Sequence, residues 1–191
     1  MKAFFGTHNS VTGEKSFGFF NIFKWFLKTQ KYTIKEQAKK GVKFFDLRVK
    51  RTKRGWVCAH GLWETEKTFS ELLREISKNT IHDIVYISVT YEGTLPKDLS
   101  EISFLKFIRK SLKKYTNLIL YSVFEKYKKT GEGKRENYLI WEKGGLEIIK
   151  YYTQFSNLKP FPPIPVFWKK TKLENISDDE KTIIIVDFYD K

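Results

Sequence analysis

The sequence predicts a single α/β domain in which about eight strands form a shortened (β/α)8 barrel, the TIM-barrel architecture. Apolar strand patterns recur along the chain, with amphipathic helical patterns between many of them. The strand at 84–92 alternates apolar and polar positions, which suits a strand with helices behind it and a polar interior in front. The 191 residues suffice for one sizeable core. They fall short of the ~250 typical of this fold, so several connecting helices must be reduced to loops.

The predicted elements follow one another along one domain, 1–191. A strand at 2–6 precedes a helix at 17–28, and a second helix runs from its cap Thr33 to Lys40, where Gly41 ends it. Two strands joined by a basic turn at 50–55 fill 41–61. The remaining predictions are helices from Thr65 or Thr68 to Lys78, at 100–115 and near 146–155, and strands at 84–92, 117–123, 138–143, 165–169 and 182–188. The expected core faces are Phe69, Leu72, Leu73 and Ile76 in the first of these helices and Ile102, Leu105, Phe107, Ile108 and Leu112 in the second.

Composition restricts the kind of protein. Cys58 is the only cysteine, so the sequence predicts no internal disulfide and no cysteine-based zinc site. The first residues lack the apolar run of a signal peptide, and the apolar stretch at 17–27 is too short to span a membrane. We therefore expect a soluble, cytoplasmic protein, open to peripheral association with a membrane. The net charge of +14 predicts anionic partners: nucleic acid, anionic lipid and phosphorylated substrates all fit.

The segment 41–61 carries two residues suited to phosphate chemistry. Arg48 is predicted to close the first strand and His60 the second. Because side chains on a strand alternate, Asp46 and Arg48 must point the same way. A charged pair on an apolar strand is costly to bury unless the two groups face each other, water or a ligand. This cost indicates a functional site.

Further candidate residues fall at the carboxyl ends of predicted strands, where barrels of this kind carry their chemistry. His8 follows the first strand, Glu92 ends the strand at 84–92, and Asp187 lies in the last strand. His82 precedes its strand and is expected at the opposite face. The sequence therefore groups His8 and His60 with the charged residues and sets His82 apart.

Several motifs resemble one known family. They are GTHNS near the start, TQ…IKEQ…GVKFFDLRV after it, then AHG, and a last strand ending in VDFYD. Together they resemble the catalytic X-type domain of phosphatidylinositol-specific phospholipase C. The resemblance is dense from residue 5 to about 61, weaker over 84–92, and at the end rests on Asp187 alone.

The resemblance implies roles for these residues. His8 would be the general base that removes the proton from the inositol 2-hydroxyl, and that oxygen would attack the neighbouring phosphorus. His60 would be the general acid that protonates the departing diacylglycerol oxygen, leaving a cyclic inositol phosphate. Asp187, inward and beside the first strand, is the expected partner that orients His8. Asp46 is expected to orient Arg48 or His60. The implied partner is a phosphoinositide or other anionic lipid at a membrane surface.

Arg48 decides the expectation about a metal. The eukaryotic relatives offer two acids on the corresponding strand and, with an asparagine after the first histidine, bind calcium; the bacterial type replaces the second acid with arginine. This chain combines Asn9 with Asp46 and Arg48. A guanidinium in place of the cation would itself stabilise the phosphate, so we expect no metal cofactor. Asn9 departs from the bacterial acid, which predicts a lower rate. Asn9 and Glu92 are expected to contact the substrate, and a calcium site built from Asn9, Asp46 and Glu92 stays open as the alternative.

The resemblance does not carry headgroup specificity, because Thr90 and Tyr91 stand where the family has a lysine that contacts inositol. Two alternatives therefore stay open. The same arrangement could cleave another phosphodiester with a neighbouring hydroxyl, RNA included. Otherwise the chain is a non-catalytic basic module that binds membranes or nucleic acid through lysines and tryptophans 25, 56 and 63. Related barrels that use clustered acids and a divalent metal fit less well, since those acids are missing.

Overall fold

The computed structural model describes residues 4–7, 9–18, 29–124, 128–129, 135–136, 148–151 and 182–186. The strands are β1 (Phe4–Thr7), β2 (Phe44–Thr52), β3 (Gly55–His60), β4 (Trp63–Thr68), β5 (Val85–Tyr91), β6 (Leu118–Phe124), β7 (Lys128–Lys129), β8 (Arg135–Glu136), β9 (Ile148–Tyr151) and β10 (Thr182–Val186). The helices are α1 (Ile34–Lys39), α2 (Phe69–Asn79) and α3 (Glu101–Leu112), and Ser10–Gly13 forms a 3-10 turn.

The main sheet is mixed. Its parallel strands lie in the order β9, β10, β1, β2, β5 and β6, and the antiparallel hairpin β3–β4 pairs with β2. Helix α1 lies between β1 and β2, and α3 lies between β5 and β6, as the α/β prediction requires. The α/β class is therefore confirmed. The predicted closure into a barrel is not seen in the described part of the chain. There, β6 pairs only with β5 and β9 only with β10, so the two edge strands do not pair with each other.

The hairpin differs from the prediction in two ways. First, Arg48 does not close β2. The strand continues to Thr52, because residues 49–52 pair antiparallel with residues 55–58, and Gly55 supplies the positive φ of 98° that the tight turn needs. Second, residues 63–68 form a third strand, β4, that the sequence did not predict, so Thr65 lies in a strand and not at a helix start. The basic segment after Arg48 is thus largely strand.

Helices cover one face of the sheet. Val85, Ile87 and Val89 on β5 are fully buried in the same apolar cluster as Phe69, Leu72, Leu73 and Ile76, which confirms the predicted alternation of β5 and the core face of α2. The predicted core face of α3 is confirmed except at Ile102. Ile108 and Leu112 are buried, and Leu105 and Phe107 are partly buried against the core, whereas Ile102 is 66% exposed. Phe104, which was not predicted, is also buried. Ile102 lies in the first turn of α3, next to the exposed Glu101.

Other predicted elements have mixed outcomes. The strands at 2–6, 117–123 and 182–188 are confirmed over β1, β6 and β10, and the helix after Thr33 is confirmed as α1. The helix predicted near 146–155 is wrong over 148–151, because β9 pairs there with β10 through all four residues. The strands predicted at 138–143 and 165–169, and most of the helix at 17–28, lie outside the described residues. None of the described helices is long and apolar enough to cross a membrane.

The amino terminus of α2 offers a test of local stability. Thr68 donates to Glu71 from its backbone N–H at 2.7 Å and from its hydroxyl at 2.8 Å, and these hydrogen bonds hold the pKa of the Glu71 carboxyl below its ordinary value. We expect Glu71→Ala to lower the free energy of unfolding by about 1 kcal/mol at neutral pH. A carboxyl with a lowered folded pKa stabilises fully above its unfolded pKa and loses that effect as the pH falls through the folded pKa.

The measurement is urea unfolding of the wild type and Glu71→Ala at neutral and acidic pH, with the exposed neighbour Glu66→Ala as the control of equal charge. The difference between wild type and Glu71→Ala should shrink in acid. A difference that is the same at both pH values would show that the ionised capping box contributes nothing.

Candidate active site at the carboxyl ends of β2 and β5

The inward faces of β2 and β5 change from aromatic to polar toward their carboxyl ends. Near the start, the rings of Phe44 and Tyr86 pack edge-on against Tyr121, with centroid distances of 5.6 and 6.5 Å. Burial raises the pKa of the Tyr121 hydroxyl, so it stays neutral in this layer. Further along, Asp46 lies beside Ser88 and Arg48 beside Thr90. The polar layer therefore opens at the carboxyl end of the strands.

The edge of β2 explains how His60 reaches this layer. β1 pairs with β2 only up to Thr7 opposite Phe45, and β3 pairs with β2 only from Cys58 opposite Val49 outward. Since β5 pairs along residues 44–49 of β2, both β1 and β3 must lie on the other edge. Strand β2 therefore extends past the end of β1, and β3 folds back along the same edge of β2. This brings the last residue of β3 close to the end of β1. His60 is the last residue of β3.

Arg48, His60 and Glu92 form a cluster at this point. Nη1 of Arg48 lies 3.5 Å from Nδ1 of His60 and 3.5 Å from Oε2 of Glu92. The other carboxylate oxygen of Glu92 accepts a hydrogen bond of 2.7 Å from the backbone N–H of Gly61. Because a guanidinium only donates, a bond to His60 requires Nδ1 to be unprotonated and the ring proton to be on Nε2. The side chains of Arg48 and Glu92 are 13% and 17% exposed, so the cluster is reachable from solvent.

Asn9 begins the turn after β1 and touches the same layer. It adopts a left-handed conformation with φ of 44°, and its N–H donates to Oδ2 of Asp46 at 3.2 Å. Both side chains are nearly buried, at 2% and 3% exposure. Oδ1 of Asn9 is buried without a hydrogen-bond partner in the described structure, although buried amide oxygens normally have one. Asn9 thus holds Asp46 through its backbone and keeps a buried acceptor available.

Close packing fixes the turn that carries Asn9. Thr12 accepts backbone hydrogen bonds of 2.9 Å from both Thr29 and Gln30, and the Gln37 amide donates to Ser10 O at 2.7 Å. A Cβ on Gly13 would lie 1.8 Å from the carbonyl oxygen of Tyr32, so only glycine fits there. The segment after β1 is therefore a rigid part of the site.

The structure brings together Arg48, His60 and Glu92, and it pairs Asp46 with Asn9. His8 and Asp187 lie outside the described residues. His82 is exposed ahead of β5, at the opposite end of the sheet, as expected. Sequence reasoning missed the Gly61 N–H as a partner of Glu92; the only signal was the glycine that follows Ala59 and His60. Among the described residues, no group of three His, Cys, Asp or Glu side chains could hold a metal ion.

The tryptophans do not form an exposed binding platform in the described part of the chain. Trp63 is 1% exposed, and Trp56 stacks on Phe107 at a centroid distance of 4.2 Å. Trp25 lies outside the described residues. The module that would bind through these rings therefore receives no support from Trp56 or Trp63.

Solved structures show which known fold this is. The chain matches the phosphatidylinositol-specific phospholipase C of Listeria monocytogenes with a TM-score of 0.59 and 13% identity, over 99% of this chain and 89% of that one. A single-residue variant of the Staphylococcus aureus enzyme matches with a TM-score of 0.54 and 15% identity, over 83% and 62% of the two chains. The fold is similar to that of bacterial phosphatidylinositol-specific phospholipase C.

A further structure of the Staphylococcus aureus phospholipase C, solved in a study of its membrane binding, matches with a TM-score of 0.50 and 15% identity. That match covers 62% of this chain and only 46% of the length of the relative. No protein-family model matches the sequence, and no curated protein matches it significantly. At these identities the similarity establishes a phospholipase C-like fold and leaves the chemistry to the site.

Glu92 offers a test of the cluster that needs no activity. Glu92→Ala removes the acceptor for Gly61 N–H and the partner of Arg48, whereas Glu92→Gln keeps an acceptor and loses only the charge. We expect hydrogen exchange at the Gly61 amide to accelerate about tenfold or more in Glu92→Ala, because a bond to a charged acceptor is lost. Glu92→Gln should show a smaller change.

The measurement is residue-resolved amide exchange, with the exposed acid Glu101→Ala as the control on the same connection. Unchanged exchange at Gly61 in Glu92→Ala would mean that Glu92 does not hold the turn after His60.

Proposed function

We propose that this chain is a phosphodiesterase of the phospholipase C type that acts on phosphatidylinositol-type lipids by two-histidine acid–base catalysis. The observation that carries the proposal is the contact of Arg48 with His60, 3.5 Å apart, where the parallel pairing of β2 with β5 ends and beside the last residue of β3. A cation that binds phosphate and a group that gives a proton are thereby adjacent in a partly exposed cluster. The phospholipase C-like fold supports the same reaction class.

In the proposed reaction, the 2-hydroxyl oxygen of the inositol attacks the phosphorus while His8 takes its proton. The bond from phosphorus to the glycerol oxygen breaks, and His60 gives that oxygen a proton through Nε2. The products are a cyclic inositol phosphate and diacylglycerol. His60 must carry a second ring proton to act in this way, and the neighbouring guanidinium opposes that charge. Protonation of Nδ1 also breaks the hydrogen bond from Arg48. An anionic phosphate bound next to both cations offsets the repulsion, which couples substrate binding to protonation of the acid.

Supporting residues hold this arrangement. We assign Glu92 to positioning and not to substrate contact, because both its oxygens already meet protein donors, Arg48 and the Gly61 N–H. Asp46, held by the Asn9 N–H, is assigned to orienting the turn after β1 that leads from His8. Asn9 is assigned to substrate contact, as in the sequence prediction; its Oδ1 has no partner in the described structure and must become accessible to meet a substrate hydroxyl. Asp187 is assigned, as in the sequence prediction, to orienting His8.

The residues fit a calcium ion poorly. A site from Asn9, Asp46 and Glu92 would need oxygens free to bind the ion. Glu92 instead lies 3.5 Å from the Arg48 guanidinium, whose charge would repel a divalent cation bound to the same carboxylate. In this proposal, Arg48 supplies the positive charge that the phosphate needs, and no step uses a metal.

Substitution of the two histidines tests the mechanism. His60→Ala and His8→Ala should each lower turnover of phosphatidylinositol by about 10²–10⁴-fold, the usual contribution of a general acid or base. His82→Ala is the matched control and should keep wild-type turnover, since His82 lies at the other end of the sheet. Phosphorus NMR of the products distinguishes a cyclic phosphate from direct hydrolysis.

Comparable turnover in His60→Ala and in wild type would contradict the acid assignment. Cleavage of a ribonucleotide phosphodiester, with phosphatidylinositol left intact, would move the same chemistry to RNA. Absence of turnover for both substrates would favour the non-catalytic alternative.

Chelation tests the role of Arg48. Wild-type turnover should survive excess chelator, because the guanidinium stands in for an ion. Arg48→Ala should lose about 10²–10³-fold in kcat, the effect of removing one preorganised charge donor from a reaction centre. Turnover that chelator abolishes and added calcium restores would assign the site to the calcium-dependent type.

A further inference from the structure

A shallow groove lies on the connection between β5 and α3. Its volume is about 500 Å³, which is within the range of about 300–1,000 Å³ for sites that bind small molecules. Four of its seven described lining residues are apolar: Leu95, Pro96, Leu99 and Ile102. Because the connection leaves the carboxyl end of β5, the groove opens at the same end of the sheet as the proposed active site.

The core of the protein supports the floor of this groove. Leu95 and Leu99 are half-buried and pack against the main apolar cluster. The N–H of Leu99 donates a hydrogen bond of 2.9 Å to the carbonyl oxygen of Pro96, which closes the turn between them. Asp98 in the same turn forms an ion pair with Arg51 on β2. The groove therefore has its shape before a ligand binds.

The lining of the groove suits an uncharged aliphatic chain. Ile102 forms one wall and leaves an apolar side chain in water, which a bound apolar group would cover with a gain in free energy. Lys97 and Glu101 carry opposite charges, so the lining has no net charge. None of the described lining residues is aromatic, whereas sites for single-stranded nucleic acid use aromatic rings on which the bases stack.

An acyl chain of the proposed substrate can reach the groove. His60 would give its proton to the departing glycerol oxygen, and Glu92 accepts a hydrogen bond from the N–H of Gly61, the next residue. Leu95 lies three residues beyond Glu92, so the Cα atoms of these two residues are at most about 11 Å apart. An acyl chain spans half of the hydrocarbon core of a bilayer, about 15 Å. A chain attached to the departing glycerol is therefore long enough to enter the groove.

We propose that the groove of Leu95, Pro96, Leu99 and Ile102 binds one acyl chain of the lipid substrate. This inference rests on the proposed function and specifies which further part of the substrate the protein recognises. One lipid can occupy the groove and the cluster of Arg48, His60 and Glu92 together, because both lie at the same end of the sheet. The groove favours phosphodiesters with an aliphatic leaving group, and RNA gains nothing from it.

The test uses two phosphatidylinositol analogues that lack the 2-hydroxyl, so that they bind without reacting. One carries two butanoyl chains and the other two octanoyl chains, and both are kept below the concentration at which they form micelles. Isothermal titration calorimetry gives the two dissociation constants. In the wild type, the octanoyl analogue should bind about 10–100-fold more tightly, because further methylenes of one chain enter the groove and each contributes about fourfold when fully buried.

Substitution of Ile102 should reduce this preference for the longer chain about tenfold. Ile102→Ser removes apolar contact, and Ile102→Asp adds a charge that the chain would have to desolvate. An acid in the first turn of a helix is favourable, so Ile102→Asp should keep α3 intact, and circular dichroism checks the fold. The matched controls are Ile81→Ser and Ile81→Asp. Ile81 is 71% exposed ahead of β5, at the other end of the sheet, and its variants should keep the wild-type preference.

The same preference in the Ile102 variants and in the wild type would overturn the proposal. Equal binding of the two analogues to the wild type, or no binding of either, would also overturn it. So would an Ile102 variant that loses self-association and keeps the preference, because the groove would then be a contact between copies of the chain. Turnover of phosphatidylinositol without a chain-length preference removes the groove and leaves the proposed reaction, whereas the preference without turnover does the reverse.

Discussion

The charge of Arg48 is the constraint around which the described site is arranged. Its side chain is only 13% exposed on the inward side of β2, where a guanidinium without partners would be strongly unfavourable. Glu92, which follows β5, supplies the opposite charge, and its second oxygen holds the Gly61 N–H. The pairing of β2 with β5 and the return of the hairpin are both needed to bring these groups together. Loss of the β2–β5 pairing would leave the Arg48 charge uncompensated, and loss of the hairpin would remove the Gly61 N–H from Glu92.

The hairpin solves a problem of geometry that parallel strands alone leave open. A residue on the next parallel strand would lie beside β5 and not at the end of β1. By extending β2 to Thr52 and folding back, the chain places β3 on the edge of β2 that β1 leaves unpaired beyond Phe45. His60 therefore faces Arg48 from the side on which the turn of Asn9 also lies. The site needs only short connections for this, which suits the modest length of the chain.

Ion pairs compensate part of the positive charge near the proposed site. Glu64 contacts Lys50 and Arg54, and Glu92 contacts Arg48. Acids therefore hold these basic side chains in position, although the chain as a whole carries a net charge of +14.

The sequence by itself determined the α/β class, most helix starts and the direction of the key side chains. Alternation placed Asp46 and Arg48 on one side of β2, and caps such as Thr33 and Thr68 act through neighbours in sequence. These features depend on local geometry, which a sequence states directly. Tertiary structure decided the rest: the length of β2, the existence of β4, the strand β9 in place of a helix, and Glu92 as the partner of Arg48. Each of these depends on a partner far away in the chain, since a strand is as long as its neighbour allows and a carboxylate pairs with the nearest cation in space.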